Sequence, residues 1–457
     1  MNTNFVTLKL LIALVITAVS HLTVAQNCIT QLSDYEFILQ SKQQGLLRYA
    51  NEHHQPAFNY HASPPFSDYL HYSYQYIQQA NPRAALPCPV FTQTYQQLVA
   101  QGSRTPTATI SDIIAPFELV RPHSNKVALL VHGLTDSPFT FHDLAQVYYQ
   151  QGYTVRTILL PGHGSAASAL QTVGVAHWQQ TLQYAINRAL IDFEQVILGG
   201  YSTGAALIID HLTTHTVSPK ITALMLFSPG SEPHNKQGWM AKWLDFIPFV
   251  DWIDKDADVD FAKYESFPLH AAAAAHQAMS QISINKLNKR PALTIPLFSV
   301  LSDIDATIDT QATLKLLNTL HKNNAPQYKQ LDTLVLYGNS AILPPQFAKD
   351  YRVINPQCNN KHCKRIRGIS HIAIVNAPAN PHYGRNAVYR NCGSFIGGED
   401  KYKTCKTTVT PELGERTAAH LKQYPTLQRL TYNPFFTELT EQISIFIHNV
   451  EHAQGKQ

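Results

Sequence analysis

Val196-Ile197-Leu198-Gly199-Gly200-Tyr201-Ser202-Thr203-Gly204-Ala205-Ala206-Leu207-Ile208-Ile209 reads as a buried strand, a sharp turn and a helix. Its centre, Gly200-Tyr201-Ser202-Thr203-Gly204, fits G-x-S-x-G. A serine on so tight a strand-to-helix turn has its Oγ pushed into the open, and only small residues fit two positions either side. In that setting an ordinary hydroxyl becomes a candidate nucleophile. The bland alternative is a Gly-rich turn that contains a serine, and the flanking segments must separate the two.

Upstream, Val127-Ala128-Leu129-Leu130-Val131 is a continuous apolar run of strand length, followed directly by His132-Gly133-Leu134-Thr135. Ser137-Pro138 then reads as an N-cap with proline at the first helical position, and Phe139 to Gln151 as the helix. An acyl-transferring serine needs two backbone N–H groups aimed at the developing oxyanion. One comes from the residue after the nucleophile, the other from the loop after an earlier strand. Thr203 and Leu134 occupy those places.

His132-Gly133-Leu134-Thr135-Asp136-Ser137-Pro138, Leu160-Pro161-Gly162-His163-Gly164 and the turn at Ser202 stand in one order. In that order the chain resembles alpha/beta-hydrolases of the bacterial monoacylglycerol lipase and carboxylesterase type. The likeness covers roughly residues 120 to 375 and a last helix near 434 to 449. It implies a triad in the chain order Ser, Asp or Glu, His. Pro296 to Val300 reads as a strand running into Leu301-Ser302-Asp303-Ile304-Asp305. In similar hydrolases the acid stands three residues past a small turn residue, which selects Asp305, with Asp303 as competitor. Among 22 histidines, His371 in Gly368-Ile369-Ser370-His371-Ile372-Ala373-Ile374 resembles the family's catalytic-histidine loop. His163 precedes the serine, and by the family pattern its loop is structural. The interval from Asp305 to His371 is 66 residues, longer than strand, helix and strand need. An insertion near 341–367 accounts for the excess.

The hydrophobic pattern alternates strand and helix from Val127 onward. Strands read near 127–131, 153–159, 195–200, 222–227, 295–300 and 331–337, and helices near 139–151, 176–192, 203–213, 309–321 and 434–449. The fold class is therefore α/β, an α/β-hydrolase fold with a mainly parallel sheet and helices on both faces. The ligand site belongs at the carboxyl ends of the strands. Residues 26–105 form an N-terminal extension with helical stretches at Asp34 to Tyr49 and Asp68 to Gln79, and 106–450 the catalytic domain. That domain carries a helical cap at about 230–290 and insertions at about 341–367 and 376–430. Trp239, Trp243, Phe246, Ile247, Phe249, Val250, Trp252 and Ile253 make the cap aromatic, which suits an acyl pocket, contact with a membrane surface, or plain packing on the core. Tyr264 to Leu269 and the Ala-rich helix after it also resemble esterase caps.

Residues 1–25 read as an export signal: Lys9, a short apolar core from Leu10 to Val19, and Thr23-Val24-Ala25 before Gln26. All six cysteines follow it, and an even count in an exported chain indicates disulfides. Short loops favour Cys28–Cys88, Cys358–Cys363 and Cys392–Cys405, the first and last tying down the extensions. The spacing around Cys358, His362 and Cys363 does not match a zinc pair. Without Lys9 the chain has 34 basic against 31 acidic residues and no basic run, which argues against a nucleic-acid groove.

The resulting expectation is a periplasmic or secreted serine hydrolase that cleaves carboxylic esters of acylglycerols or similar lipid-like acyl groups, without metal or organic cofactor. Ser202 attacks, His371 relays the proton, Asp305 orients it, and the Leu134 and Thr203 amides hold the oxyanion. A thioesterase, a peptidase or an acyltransferase would use the same groups, and a noncatalytic binding protein would use the same scaffold.

Overall fold

The computed structural model describes residues 27–234, 251–357 and 361–454. Its centre is an eight-stranded sheet. In chain order the strands are β1 (Glu118–Leu119), β2 (Lys126–Val131), β3 (Thr154–Ile158), β4 (Gln195–Tyr201), β5 (Ile221–Phe227), β6 (Leu297–Ser302), β7 (Thr333–Tyr337) and β8 (Arg352–Ile354). Their spatial order is β1-β3-β2-β4-β5-β6-β7-β8. β1 runs antiparallel to β3, and every other pairing is parallel.

Side-chain alternation explains the apolar run in β2. Val127, Leu129 and Val131 enter one core with Trp178, Leu182 and Ile186 of helix Val175–Asp192 and with Ile208 of helix Thr203–Thr214. Ala128 and Leu130 enter the opposite core with Leu144 and Tyr148 of helix His142–Gln150 and with Ile443 and Phe446 of helix Phe436–Gln454. Both faces are covered, so the strand has no polar side to show. Each fully buried leucine contributes about 1.5–3 kcal/mol relative to exposure.

The chain steps from β2 outward to β3, then returns across β2 to β4, so the strand order reverses there. The crevice at such a reversal is where open α/β sheets bind ligands. Val131 pairs with Gly200, so the loop after β2 and the turn after β4 emerge side by side.

All six strands read from the sequence are present, and two more join them. β1 is two residues long and β8 three, too short for a periodic signal. β8 lies within 341–367, so the sheet continues past Tyr337 through a stretch read as inserted.

The first 80 described residues are locked onto this framework. The Cys28–Cys88 disulfide closes the extension. The Tyr69 hydroxyl donates to the Leu159 carbonyl and accepts from the Leu159 amide. Arg83 donates to the carbonyls of Asp258, Val259 and Asp260 in the cap.

Of the cap aromatics, Trp239, Trp243, Phe246, Ile247, Phe249 and Val250 lie outside the described residues. Trp252 and Ile253 sit on a short strand, Trp252–Asp254, paired with Phe267–Pro268. Helix Leu269–Gln281 follows. Residues 366–429 include a small parallel sheet of Ile366–Arg367, Leu413–Gly414 and Gln428–Arg429. The Cys392–Cys405 disulfide ties down the helix beside it. Cys363 is disulfide-bonded, and its expected partner Cys358 lies outside the described residues, as does the segment 1–25. Among the described residues no helix is long and apolar enough to cross a membrane.

Candidate active site

Ser202 follows β4 and caps helix Thr203–Thr214 with φ +52° and ψ −118°. A residue with a side chain rarely adopts this conformation, and the surroundings must hold it there. The Ser202 amide donates to the Phe227 carbonyl, and the Ser202 carbonyl accepts from the Gly230 amide, 2.9 Å away. The two flanking glycines make the turn sterically feasible. A Cβ on Gly200 would stand 2.6 Å from the Ala205 nitrogen, and one on Gly204 would collide with the carbonyl oxygens of Val131 and His132.

His371 reaches this serine from a short 3-10 turn, His371–Ala373. Its Nε2 accepts from the Ser202 hydroxyl at 3.1 Å, and its Nδ1–H donates to Asp305 Oδ2 at 2.6 Å. The other Asp305 oxygen accepts the amides of Thr307 and Ile308. Burial by itself raises the Asp305 carboxyl. The charge and hydrogen bond of His371, with those two amides, outweigh burial and hold it below the ordinary value. Asp303, the competing acid, faces elsewhere and accepts the Asn339 amide at 2.8 Å. Tyr201 flanks the histidine from β4, its hydroxyl donating to the His371 carbonyl and its ring 5.2 Å from the imidazole.

Leu134 and Thr203 open onto the same cavity as Ser202. The Thr203 amide is the first of its helix and so belongs to the donors that no helical carbonyl satisfies. Beside Leu134 the neighbouring amides are committed: Thr135 donates to His163 Nε2 and Asp136 to the Gly133 carbonyl. His163 is in turn fixed by its Nδ1–H, 3.1 Å from the Leu160 carbonyl, and stacks on Tyr264. Burial pushes His163 down to about 4, and His132 well below the usual imidazole range, so both stay neutral near pH 7. His163 braces the loop through the Thr135 amide.

The cavity has a volume of about 640 Å³, within the range that holds a small organic ligand. Its apolar lining comes from Leu269, Ala272, Ala275 and Met279 of the Ala-rich helix with Ile253 and Phe267. Its charged lining includes Asp136, Lys263, Glu265 and Arg429. Burial raises Asp136 to about 6 against the pull of Lys263 and His371. Burial also raises Glu265, to about 8, with Asp260, Asp256 and Asp258 adding to the effect. Neither carboxyl was assigned a role from sequence, although Asp136 stands inside a quoted motif. Their signal is purely spatial. Among the described residues no three or more His, Cys, Asp or Glu converge as a metal cage.

The alpha/beta hydrolase family model matches residues 128–356, half of the chain. The chain belongs to the alpha/beta hydrolase family. The match begins in β2 and ends just past β8, so the family's core is the sheet that carries the site. Among curated proteins, this hydrolase is 24% identical over 183 residues to a thermostable monoacylglycerol lipase of Bacillus sp. (strain H-257), covering 39% of this chain and 70% of the lipase. Among solved structures, the monoacylglycerol lipase of Paleococcus ferrophilus is 18% identical, with 46% of this chain and 85% of that one covered and a TM-score of 0.37. A soluble variant of the monoglyceride lipase of Saccharomyces cerevisiae is 14% identical, covers 49% and 82%, and has a TM-score of 0.40.

Proposed function

We propose that the protein is an exported serine hydrolase of carboxylic esters, with acylglycerols or similar lipid-like acyl esters as substrates. The observation that carries this reading is the relay Ser202 Oγ to His371 Nε2 to Asp305, mounted on a positive-φ turn at the floor of the cavity. In this reading His371 Nε2 takes the Ser202 proton as Oγ attacks the ester carbonyl. The oxyanion of the tetrahedral intermediate lies between the Leu134 and Thr203 amides. Collapse of the intermediate breaks the ester C–O bond, and His371 returns the proton to the leaving alkoxide. Water repeats the sequence on the acyl-enzyme and frees the acid and Ser202. Asp305 holds the imidazole in the tautomer with Nδ1 protonated and stabilises the imidazolium.

The apolar lining along helix Leu269–Gln281 supports an acyl chain, and the charged side chains a polar alcohol portion. The disulfides Cys28–Cys88 and Cys392–Cys405 support an oxidising compartment. The test is hydrolysis of a chromogenic ester series from short to long acyl chains by the purified protein beside Ser202→Ala. Serine-dependent turnover is the expected result, and its preferred chain length defines the acyl pocket. Absence of turnover on every ester, with the protein folded and oxidised, overturns the reading.

A further inference from the structure

Residues 376–430 lie beyond His371 and take no part in the proton relay as described. Of their side chains, Asn391, Ser394 and Arg429 line the cavity, and Glu415 reaches the main chain of His371. Glu415 follows the strand Leu413–Gly414, which pairs with Ile366–Arg367 on one side and with Gln428–Arg429 on the other. Ile366–Arg367 leads directly into the loop that carries His371. The small sheet therefore sets Glu415 and Arg429 beside that loop. Glu415 is 1% exposed. Its Oε2 accepts the main-chain amide of His371 at 3.1 Å and lies 3.5 Å from the amide of Ala306, the residue after Asp305. Arg429 grips the same carboxylate through both oxygens, Nε to Oε1 at 2.9 Å and Nη2 to Oε2 at 3.0 Å. That Nη2 also donates to the Thr307 hydroxyl on the Asp305 loop. The Arg416 amide donates to Oε1, and the Ser370 hydroxyl donates to the Leu430 carbonyl.

A buried carboxylate is held in place only when its lone pairs are matched, and this one is matched by amides of both catalytic loops and by a guanidinium. From these contacts we infer that Glu415, clamped by Arg429, is a positioning residue that sets the main chain of His371 against the Asp305 loop. The insertion 376–430 is then part of the active centre, and its disulfide anchors the segment that delivers Glu415. The inference rests on the serine-hydrolase reading for its kinetic consequence, but its geometric content is independent of that reading.

Glu415→Asp is the informative variant. It keeps the charge and a pairing group for Arg429 but withdraws the oxygens by one methylene from the His371 amide. A purely electrostatic or merely stabilising carboxylate tolerates this change; a positioning one does not. Two signals are read on wild type, Glu415→Asp and the double variant Glu415→Leu/Arg429→Met, which removes both charges together and leaves the His371 amide without its acceptor. The first signal is kcat and KM on the preferred ester, per folded protein. The second is the downfield proton resonance of the short Nδ1–H to Asp305 hydrogen bond, identified by its loss in Asp305→Ala. The expected result is a fall in kcat of roughly 10–100-fold in Glu415→Asp with KM within about twofold, because small displacements of a catalytic group cost this much. The resonance should shift or broaden in both variants. An unmoved resonance with unchanged kcat in Glu415→Asp and the double variant overturns the inference. Should wild type show no Ser202-dependent turnover, the hydrolase reading fails, and the resonance alone still decides the role of Glu415.

Discussion

His371 Nδ1 and Asp305 Oδ2 stand 2.6 Å apart although 66 residues separate them in the chain. The contact exists because the chain, after adding β7 and β8 at the sheet edge, returns through Ile366–Arg367 to the end of β6. It also settles which of two nearby acids faces the imidazole. Asp305→Asn should lower kcat about 10⁴-fold while the protein still folds, because the amide favours the wrong tautomer. Asp303→Asn should leave kcat within about threefold, since Asp303 caps the turn at Asn339. Steady-state kinetics of the two variants checks both statements, and the reverse ranking would exchange their roles.

The Ser202 turn has no space behind it. A Cβ on Gly204 meets two backbone carbonyls of β2 and its loop, which cannot swing aside as a side chain tip can. Gly204→Ala should destabilise the protein by about 1–3 kcal/mol or more, the cost of overpacking. Urea unfolding with disulfides intact reads this directly, and a midpoint equal to wild type would show that the turn can relax.

The sheet and the turn that carries Ser202 were legible in the sequence because their signals are local. Val127–Val131 and Val196–Leu198 are unbroken apolar runs, and Gly200 and Gly204 bracket Ser202 at fixed spacing. Asp305 and His371 were legible only through family order, since a lone Asp and one histidine among many carry no local mark. Glu415 and Arg429 were not legible. They meet through a nonlocal pairing of two-residue strands too short to pattern. β8 was hidden for the same reason.

Glu265 lines the cavity with its pKa raised by burial from 4.5 to about 8. Between those values the folded protein holds a proton that the unfolded chain releases. The native state then binds more protons, so stability falls as pH rises through this window. Glu265→Gln should flatten the slope between pH 5 and pH 8 by at most about 1.4 kcal/mol per pH unit. Its amide oxygen can still accept the Val259 and Asp260 amides, as the carboxylate does. Urea unfolding at several pH values compares the slopes; parallel curves would mean that Glu265 titrates alike in both states.

His163 holds the loop beside Leu134 through the Thr135 amide. His163→Ala should free that loop and lower kcat by roughly tenfold or more with little change in KM, since oxyanion stabilisation appears only in the transition state. Because burial keeps His163 neutral down to about pH 4, the pH–rate profile of the variant should keep the wild-type shape above pH 5. A profile that changes shape there would instead make His163 a proton-transfer group.

The account stands on Ser202 as the nucleophile. The most direct test is to react the oxidised protein with an alkyl fluorophosphonate, map the adduct by peptide mass, and assay ester turnover in parallel with Ser202→Ala. The account predicts one adduct, on the peptide that contains Ser202, stoichiometric loss of turnover, and neither label nor turnover in Ser202→Ala. An adduct on another residue, or ester turnover that survives in Ser202→Ala, would contradict it.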